Sequence, residues 1–507
     1  MKPIPLLLAL TAQRTTAACL SSATSTTINT LLTTGGPNTL ISLCPDTIVP
    51  LTSPIIFTAP GQEISTAGYP TDSTRATLLI QPGTDTTSAI RGNWQDYVRV
   101  RNLQIDGNRP KAGALGGDAL LEMGGGTTGQ WVEGNVIRDT RSWSCFHLIA
   151  SGQEGNLCRN ATVKGNTVGP CGEEGVGVEG GLWADGLSVE CTESVVVDNE
   201  ITGATDGGIV IFGSPGSSFL RNTITSSSTQ RGFGGINMVD PNYNGNYSGV
   251  VVSDNTIIGV DSGFIELGIA MGSQVWSNPH PLNNFGPTTV SNNVFKGNIG
   301  FSIVINGWEG GLTVQNNDIS AVSPPSDFAD PSTCGSIQKS AFLASHPLLI
   351  YPPGAGSPLT IQPEFTTLSA NASNFLCLTH PLPTSQSFTA GSLSVSAATS
   401  TVVDLKGLHV QLQGDGNLVG LDTTGTNQGG SEVKWASGRY SDGCGTDGSG
   451  CVLAFDEAGE LKLTDGTGKT VWGSGTKGKE VVFLGEEPWV VVKEADGQQL
   501  WTVGELA

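Results

Sequence analysis

Between about residues 25 and 320 the apolar positions fall in short runs of four to six, such as "LSVEC", "SVVVDN" and "GIVIFG", each closed by Gly, Asn or Asp. Runs this short, rich in Val and Ile and with no helical periodicity between them, predict strands without crossover helices. One phrase recurs: a polar residue or glycine, then Asn, then any residue, then an aliphatic or aromatic one. It stands in "GNVIRD", "GNTVGP", "DNEITG", "RNTITS", "DNTIIG", "NNVFKG" and "NNDIS". Its asparagines, Asn135, Asn166, Asn199, Asn222, Asn255, Asn293 and Asn317, are 31, 33, 23, 33, 38 and 24 residues apart, so one unit repeats with loops of varying length. Short strands that cannot form βαβ units stack coil on coil, with equivalent positions about 4.8 Å apart. An inward asparagine at a corner would then bond to its counterpart one coil up, and a ladder is the expected role of all seven.

In this repeat style, residues from about 25 to 345 resemble the pectin-lyase-like superfamily of right-handed parallel β-helices. The resemblance implies a mostly secreted kind of enzyme that holds polysaccharide along a groove on one face. It also implies an N-terminal cap, which "STTINTLLTTG", Ser25 to Gly35, supplies with Ile28, Leu31 and Leu32 at helical spacing. The motifs of two well-known branches are missing. Neither the Asn-Thr-Asp, Asp-Asp, Gly-His-Gly and Arg-Ile-Lys set of polygalacturonases nor the Arg-x-Pro-x-x-Arg of pectate lyases occurs.

After about Ala321 the phrase stops and Pro, Ser and Thr dominate, so residues 346–390 are expected to bridge or cap and 391–507 to form a second domain. That domain repeats a glycine-rich turn and a strand leading to a tryptophan: Trp435, Trp472 and Trp501. Three-fold repetition predicts a small β-prism with the rings in its core. Its first unit, "LQGDGNLVGLD", resembles the signature of bulb-type, mannose-binding lectins at Gln413, Asp415, Asn417 and Val419, with Leu421 where the family has tyrosine. The resemblance implies that the three polar groups alternate on one strand face and bind sugar hydroxyls, with Val419 against the ring carbons. The overall expectation is an all-β chain, a right-handed parallel β-helix followed by a three-fold prism.

Composition narrows the partners. A net charge of -21 with no basic tract repels nucleic acid and anionic membranes, and no mature segment is apolar for the roughly 20 residues a span needs. The start, "MKPIPLLLALTAQRTTAAC", reads as a secretory leader over residues 1–18. Ten cysteines suit an oxidising compartment; Cys19–Cys44, Cys158–Cys171 and Cys444–Cys451 are the short-range pairings expected. Asn160, Asn246 and Asn371 head glycosylation sequons. No Cys-x-x-Cys pair and only five scattered histidines speak against zinc, and no cofactor is expected, save calcium if the chemistry is that of a lyase. The expected partners are a glycan substrate and mannose-type sugars, met by a monomeric, extracellular protein.

Chemistry is sought where polar or aromatic residues interrupt the aliphatic runs. Asp185 and Asp206 each begin an Asp-Gly pair 21 residues apart, about one minimal coil. If the two corners stack, their carboxyls lie about 5 Å apart, and one must hold its proton. That is the equipment of a glycosidase. Asp-Gly is equally a favoured turn, so scaffold and site compete as readings. Asp240 and His147 complete the catalytic candidates. Trp143, Trp183, Arg109, Arg141, Asn237 and Glu266 are the candidate substrate contacts. A hydrolase is favoured; a lyase on a uronate glycan, drawing on Arg109, Arg141 or Arg231, and a non-catalytic wall-binding protein are the alternatives.

Overall fold

A computed structural model describes residues 19–150, 158–174, 183–228, 230–260, 263–273, 275, 283–323, 348–351, 359–363, 366–367, 384–396, 401–405, 407–413, 415–421, 433–439, 444 and 450–503. The expected leader, Gly414 and Asn371 lie outside them. The chain forms two compact units, the second taking up the residues from 380 onward.

The first unit is a parallel β-helix of three long sheets. Among the described residues one has eleven strands, from Leu40–Leu43 to Leu359–Ile361; the second has ten, from Ile48–Leu51 to Asp318–Val322; the third has eleven, from Ile55–Ile56 to Thr366–Thr367. Every strand pairs in parallel with its equivalent one coil away, as Val195–Val197 does with Ser218–Leu220. The helix Ser25–Gly35 covers the first coils, with the Thr24 hydroxyl accepting from the Thr27 amide. Ile28 and Leu32 are buried, whereas Leu31 faces solvent, so the apolar stripe is narrower than expected.

The asparagine ladder is continuous. Each Nδ2 from Asn135 onward donates to Oδ1 of the next asparagine at 2.9–3.0 Å, and Asn317 ends the row on Gln362 Oε1 at 2.9 Å. The residue before each asparagine makes the corner in left-handed backbone: Gly134, Gly165, Asp198, Arg221, Asp254, Asn292 and Asn316 all have positive φ. Glycine, Asn and Asp tolerate that region most readily, which accounts for the first position of the repeated phrase. Arg221 is the exception, and its guanidinium pairs with Asp198 one coil below at 2.8 and 3.1 Å.

A second column runs along the third sheet. Gly186, Gly208, Gly235 and Gly268 follow one another in register, set by Leu187↔Ile209, Ile209↔Ile236 and Ile236↔Ile269. A Cβ at these positions would lie 2.5–2.9 Å from side chains of Ile201, Ile224, Ile257 and Phe295 on the second sheet. Glycine here lets two sheets approach across a thin core.

Disulfides follow the stacking. Cys19–Cys44 and Cys444–Cys451 form as expected, but Cys158 bonds Cys191 and Cys171 bonds Cys145. Cys158 and Cys191 are one coil apart, with Cα atoms 4.7 Å apart, close to the spacing of parallel strands. Proximity in sequence favoured Cys158–Cys171; proximity across coils decides. These pairs accord with an oxidising compartment, and among the described residues no helix is long and apolar enough to cross a membrane.

Among its described residues the second unit holds three four-stranded antiparallel sheets, and each carries one of the three tryptophans. Trp472 and Trp501 meet edge to face at 6.0 Å. The expected bridge, 346–390, is divided. Leu348–Tyr351, Leu359–Ile361 and Thr366–Thr367 still add to the β-helix, while Ser385–Thr389 already pairs with Glu480–Leu484 of the second unit. Its Ser- and Thr-rich composition hides strand pairing that the backbone makes regardless of side chain.

Candidate functional site

The glycine column corrects the alignment of the two Asp-Gly pairs. Gly186 stacks on Gly208, the second glycine of "DGG", so Asp185 is level with Gly207 and Asp206 with Ala184. The coil is 22 residues here, and the carboxyls are offset rather than stacked. Asp185 nevertheless accepts from the Gly207 amide through Oδ1 (3.1 Å) and from the Ser188 hydroxyl through Oδ2 (2.8 Å).

The third sheet bends next to the glycine column. Residues three apart on a flat strand face opposite sides. Yet Asp185 meets Ser188, and a Cβ at Gly207 or Gly234 would strike Val210 and Asn237 or Asn237 alone. The bend folds two rows, Asp185–Gly207–Gly234 and Ser188–Val210–Asn237, into one concave strip. Asn237 is buried there, and its Oδ1 has no hydrogen-bond partner among the described residues.

Three carboxyls converge electrostatically on this strip. Asp185 is buried, and desolvation, then the charges of Asp206 and Asp240, hold its pKa well above the carboxylate range. Asp206 is pushed up to about 6 by desolvation, and Asp240 to about 6 by desolvation and then by Asp206. Both keep part of their surface open to solvent. The Tyr247 hydroxyl donates to the carbonyls of Ile211 (2.7 Å) and Asp240 (2.9 Å), tying the loop that carries Asp240 back to the strand below.

His147 lies on the same outer row, paired with Glu122 on one side and Ser188 on the other. Burial pushes its pKa down to about 4 against the pull of Asp118, so the ring is neutral near pH 7. Its Nδ1 has no partner among the described residues, and exposed Trp143 packs edge-on at 4.8 Å.

The remaining candidates are used by the scaffold. Arg141 donates to the carbonyls of Gly113, Thr84, Thr86 and Ala112 at 2.6–3.0 Å, clamping two loops. Arg109 is buried, bonded to Thr140 O and 3.6 Å from Glu173. Glu266 is fully buried and pairs with Arg231 at 3.3 Å; Arg231 also pairs with Glu174 and lies 4.2 Å from the Phe233 ring, against which Trp183 packs. Arg231, Glu174 and Glu266 thus form a buried ion-pair cluster, whereas the Glu173 partner of Arg109 is exposed. Ser188, Gly207, Gly234 and Tyr247 were not singled out from sequence. The Gly-Gly pairs at 207 and 234 were the available signal; nothing in sequence marks Ser188.

In the second unit the signature residues do not alternate on a strand. Gln413, Asp415, Gly416 and Asn417 lie between the paired strands Leu408–Leu412 and Leu418–Leu421; the Gln413 amide donates to Asn417 O, the Gly416 amide donates to Gln413 O, and Gly416 has positive φ. Asp415 Oδ1 accepts from the Asn417 amide, and Asn417 Oδ1 accepts from the Ser437 hydroxyl and the Gly438 amide. Val419 is buried.

The first unit is thus a parallel β-helix with an acidic concave strip on its third sheet. Residues 158–319 match the family model of the right handed beta helix region, so the helix is right-handed. No curated protein matches the chain. Similar solved structures include the alginate lyase from Paenibacillus sp. str. FPU-7, 16% identical over 61% of this chain and 98% of that one, with a TM-score of 0.37. Two lectins are also similar: a monomeric mannose-binding lectin from Gastrodia elata (23% identity, 24% and 96% covered, TM-score 0.18) and the Polygonatum cyrtonema lectin solved with a monomannoside (26%, 22% and 96%, 0.15).

Proposed function

We infer that the β-helix unit hydrolyses glycosidic bonds of a neutral polysaccharide outside the cell. What supports this reading is the register that sets Asp185 level with Gly207, next to Asp206, together with burial and the mutual charge effects of Asp185, Asp206 and Asp240, which push the pKa values of Asp206 and Asp240 up to about 6. Near that pH one of the latter two carries a proton while the other is ionised. The protonated carboxyl gives its proton to the glycosidic oxygen as the bond to the anomeric carbon breaks. The ionised one takes a proton from the water that attacks that carbon, leaving a new reducing end and a free hydroxyl. Burial and the charges of Asp206 and Asp240 favour the protonated form of Asp185, and Asn237 Oδ1, buried and without a partner among the described residues, lies on the same strip. Three carboxyls disfavour a uronate chain, and Arg231 is engaged by Glu174 and Glu266, so hydrolysis is favoured over elimination.

For the second unit the reading is carbohydrate anchoring around Gln413, Asp415 and Asn417, which rests on the four signature matches; exposed Asp415 and half-buried Gln413 are the more accessible of these polar groups. Anchoring raises local substrate concentration without altering the reaction.

Reducing-end release across neutral glucans, mannans, xylans and polygalacturonate tests the first reading. Asp206→Asn and Asp240→Asn are each expected to cut the rate by about 10² or more. Full activity in both, or an ultraviolet-absorbing unsaturated uronate as the product, overturns it. Loss of mannan retention in Asn417→Ala tests the second.

A further inference from the structure

The early coils carry an exposed aromatic surface that neither the acidic strip nor the lectin-like turn uses. Trp94, Tyr97 and Trp131 are 55%, 52% and 36% exposed. Single exposed aromatics are ordinary, but these three sit on neighbouring coils and each is held in a fixed pose. Trp94 lies over Gly125, where a Cβ would come 2.9 Å from its Cδ2; Tyr97 lies over Gly129, where a Cβ would come 2.6 Å from its ring. Glycine below each ring lets one face bed against backbone while the other meets solvent. Trp131 is fixed by its edge, its Nε1–H donating to Glu133 Oε2 at 3.0 Å, an oxygen that also accepts from Arg101 at 2.9 Å.

Two of the rings require unusual backbone. Trp94 has φ 69° and Tyr97 has φ 58°, a region that bulky residues enter only when the surroundings impose it. Their amides are anchored to the coil above, Trp94 to Gly124 O and Tyr97 to Thr128 O. Gly, Asn or Asp occupies most left-handed positions of the β-helix unit, and Trp94 and Tyr97 join Tyr69 and Tyr243 as the aromatic exceptions.

Register sets the spacing. Trp131 is level with Arg99, two residues beyond Tyr97 and one coil on. Adjacent coils are about 4.8 Å apart, so Tyr97 and Trp131 lie within reach of one short oligosaccharide. Around the rings stand Arg99, Glu133 and Lys164, all partly exposed and able to bond hydroxyls.

We propose that Trp94, Tyr97 and Trp131 form a second glycan-binding platform on the β-helix, stacking on the apolar faces of pyranose rings in a neutral polysaccharide chain. Preset rings lose little side-chain entropy on binding, and sugar C–H faces suit flat aromatic surfaces ringed by hydrogen-bonding groups. The platform is separate from the three carboxyls and holds whether or not they are catalytic.

The test is affinity electrophoresis of the full chain through gels containing mixed-linkage β-glucan, xyloglucan, galactomannan or polygalacturonate. Asn417→Ala is the parent, so that retention by the lectin-like turn is removed. Retardation by at least one neutral glycan is expected, with at least a ten-fold weaker apparent affinity in the Trp94→Ala/Tyr97→Ala/Trp131→Ala variant. Partial recovery is expected with Trp131→Phe in place of Trp131→Ala. Unchanged thermal unfolding and unchanged cleavage of a short soluble substrate show that the variant keeps its fold and its reaction. Equal retardation of parent and variant, or none of the parent on any neutral glycan, overturns the proposal. So does a concentration-dependent dimer in sedimentation that the substitutions abolish without any glycan retention, which would make the surface a contact between copies of this chain.

Discussion

Replacing Asp240 by Asn should stabilise the protein at neutral pH and leave it little changed in acid. Asp240 titrates near 6 because desolvation, and then the charge of Asp206, penalise its ionised form. An unfolded chain releases the same proton near 3.8. Below that value both states are protonated and the group is neutral in effect. Between about 4 and 6 the unfolded state gives up its proton while the folded state keeps it, so stability falls as pH rises. Above about 6 the whole penalty is present. The displacement corresponds to about 3 kcal/mol at ~1.4 kcal/mol per pKa unit, and the partial exposure of the carboxylate reduces it to about 2 kcal/mol. Urea unfolding of parent and variant, followed by tryptophan fluorescence at pH 4 and pH 7.5, measures the difference; the rest of the chain cancels in the comparison. The expected result is near-equality at pH 4 and a gain of about 2 kcal/mol for the variant at pH 7.5, with hydrolysis lost. A variant equally destabilised at both values, or a difference between parent and variant that does not change from pH 4 to pH 7.5, would refute the placing of Asp240 in a desolvated acidic strip.

Asn222→Ala in mid-ladder strands the Asn199 amide, leaves Asn199 Nδ2 with Val163 O alone, and removes donors from Asn255 Oδ1 and Val196 O, and should cost about 3 kcal/mol or more in urea unfolding. Gly234→Ala places a Cβ 1.8 Å from Asn237 Oδ1 and so must displace that amide; kcat/KM is expected to drop about ten-fold, and the loss should vanish when the change is made on an Asn237→Ala background. Non-reducing peptide mapping should recover Cys158 joined to Cys191 and Cys145 joined to Cys171; a peptide joining Cys158 to Cys171 contradicts the coil register.

The ladder was legible because its role is local and repeated. Every coil needs a left-handed residue and then an amide side chain that both donates and accepts, and few residues meet those demands, so the phrase recurs at Asn135 through Asn317. The same logic failed for disulfides and for the turn at Gln413. Cys158 and Cys171 are close along the chain, but the separation that counts is one coil, and coil length varies from 23 to 38 residues between ladder asparagines. At Gln413, resemblance supplied residue identities, while strand or turn is settled by pairing with Leu408–Leu412.

The two Asp-Gly pairs show why the site was half readable. As dipeptides they look equivalent, and aligning them implies stacked carboxyls. The structure aligns on something else: the inward glycine that lets Ile201 and Ile224 press against the third sheet. At Asp185 that glycine follows the aspartate directly; at Asp206 it comes one residue later, so the first glycine of "DGG" is free to open the outer face beside Asp185. Core packing therefore dictates the offset between the carboxyls, and the offset leaves Gly207 to donate its amide to Asp185 and to make room for Asn237. Asp185 is scaffold by its bonds and part of the site by its charge. Interior glycines on one side of the sheet and acidic chemistry on the other are consequences of the same register, which is why moving either glycine should be felt at the carboxyls.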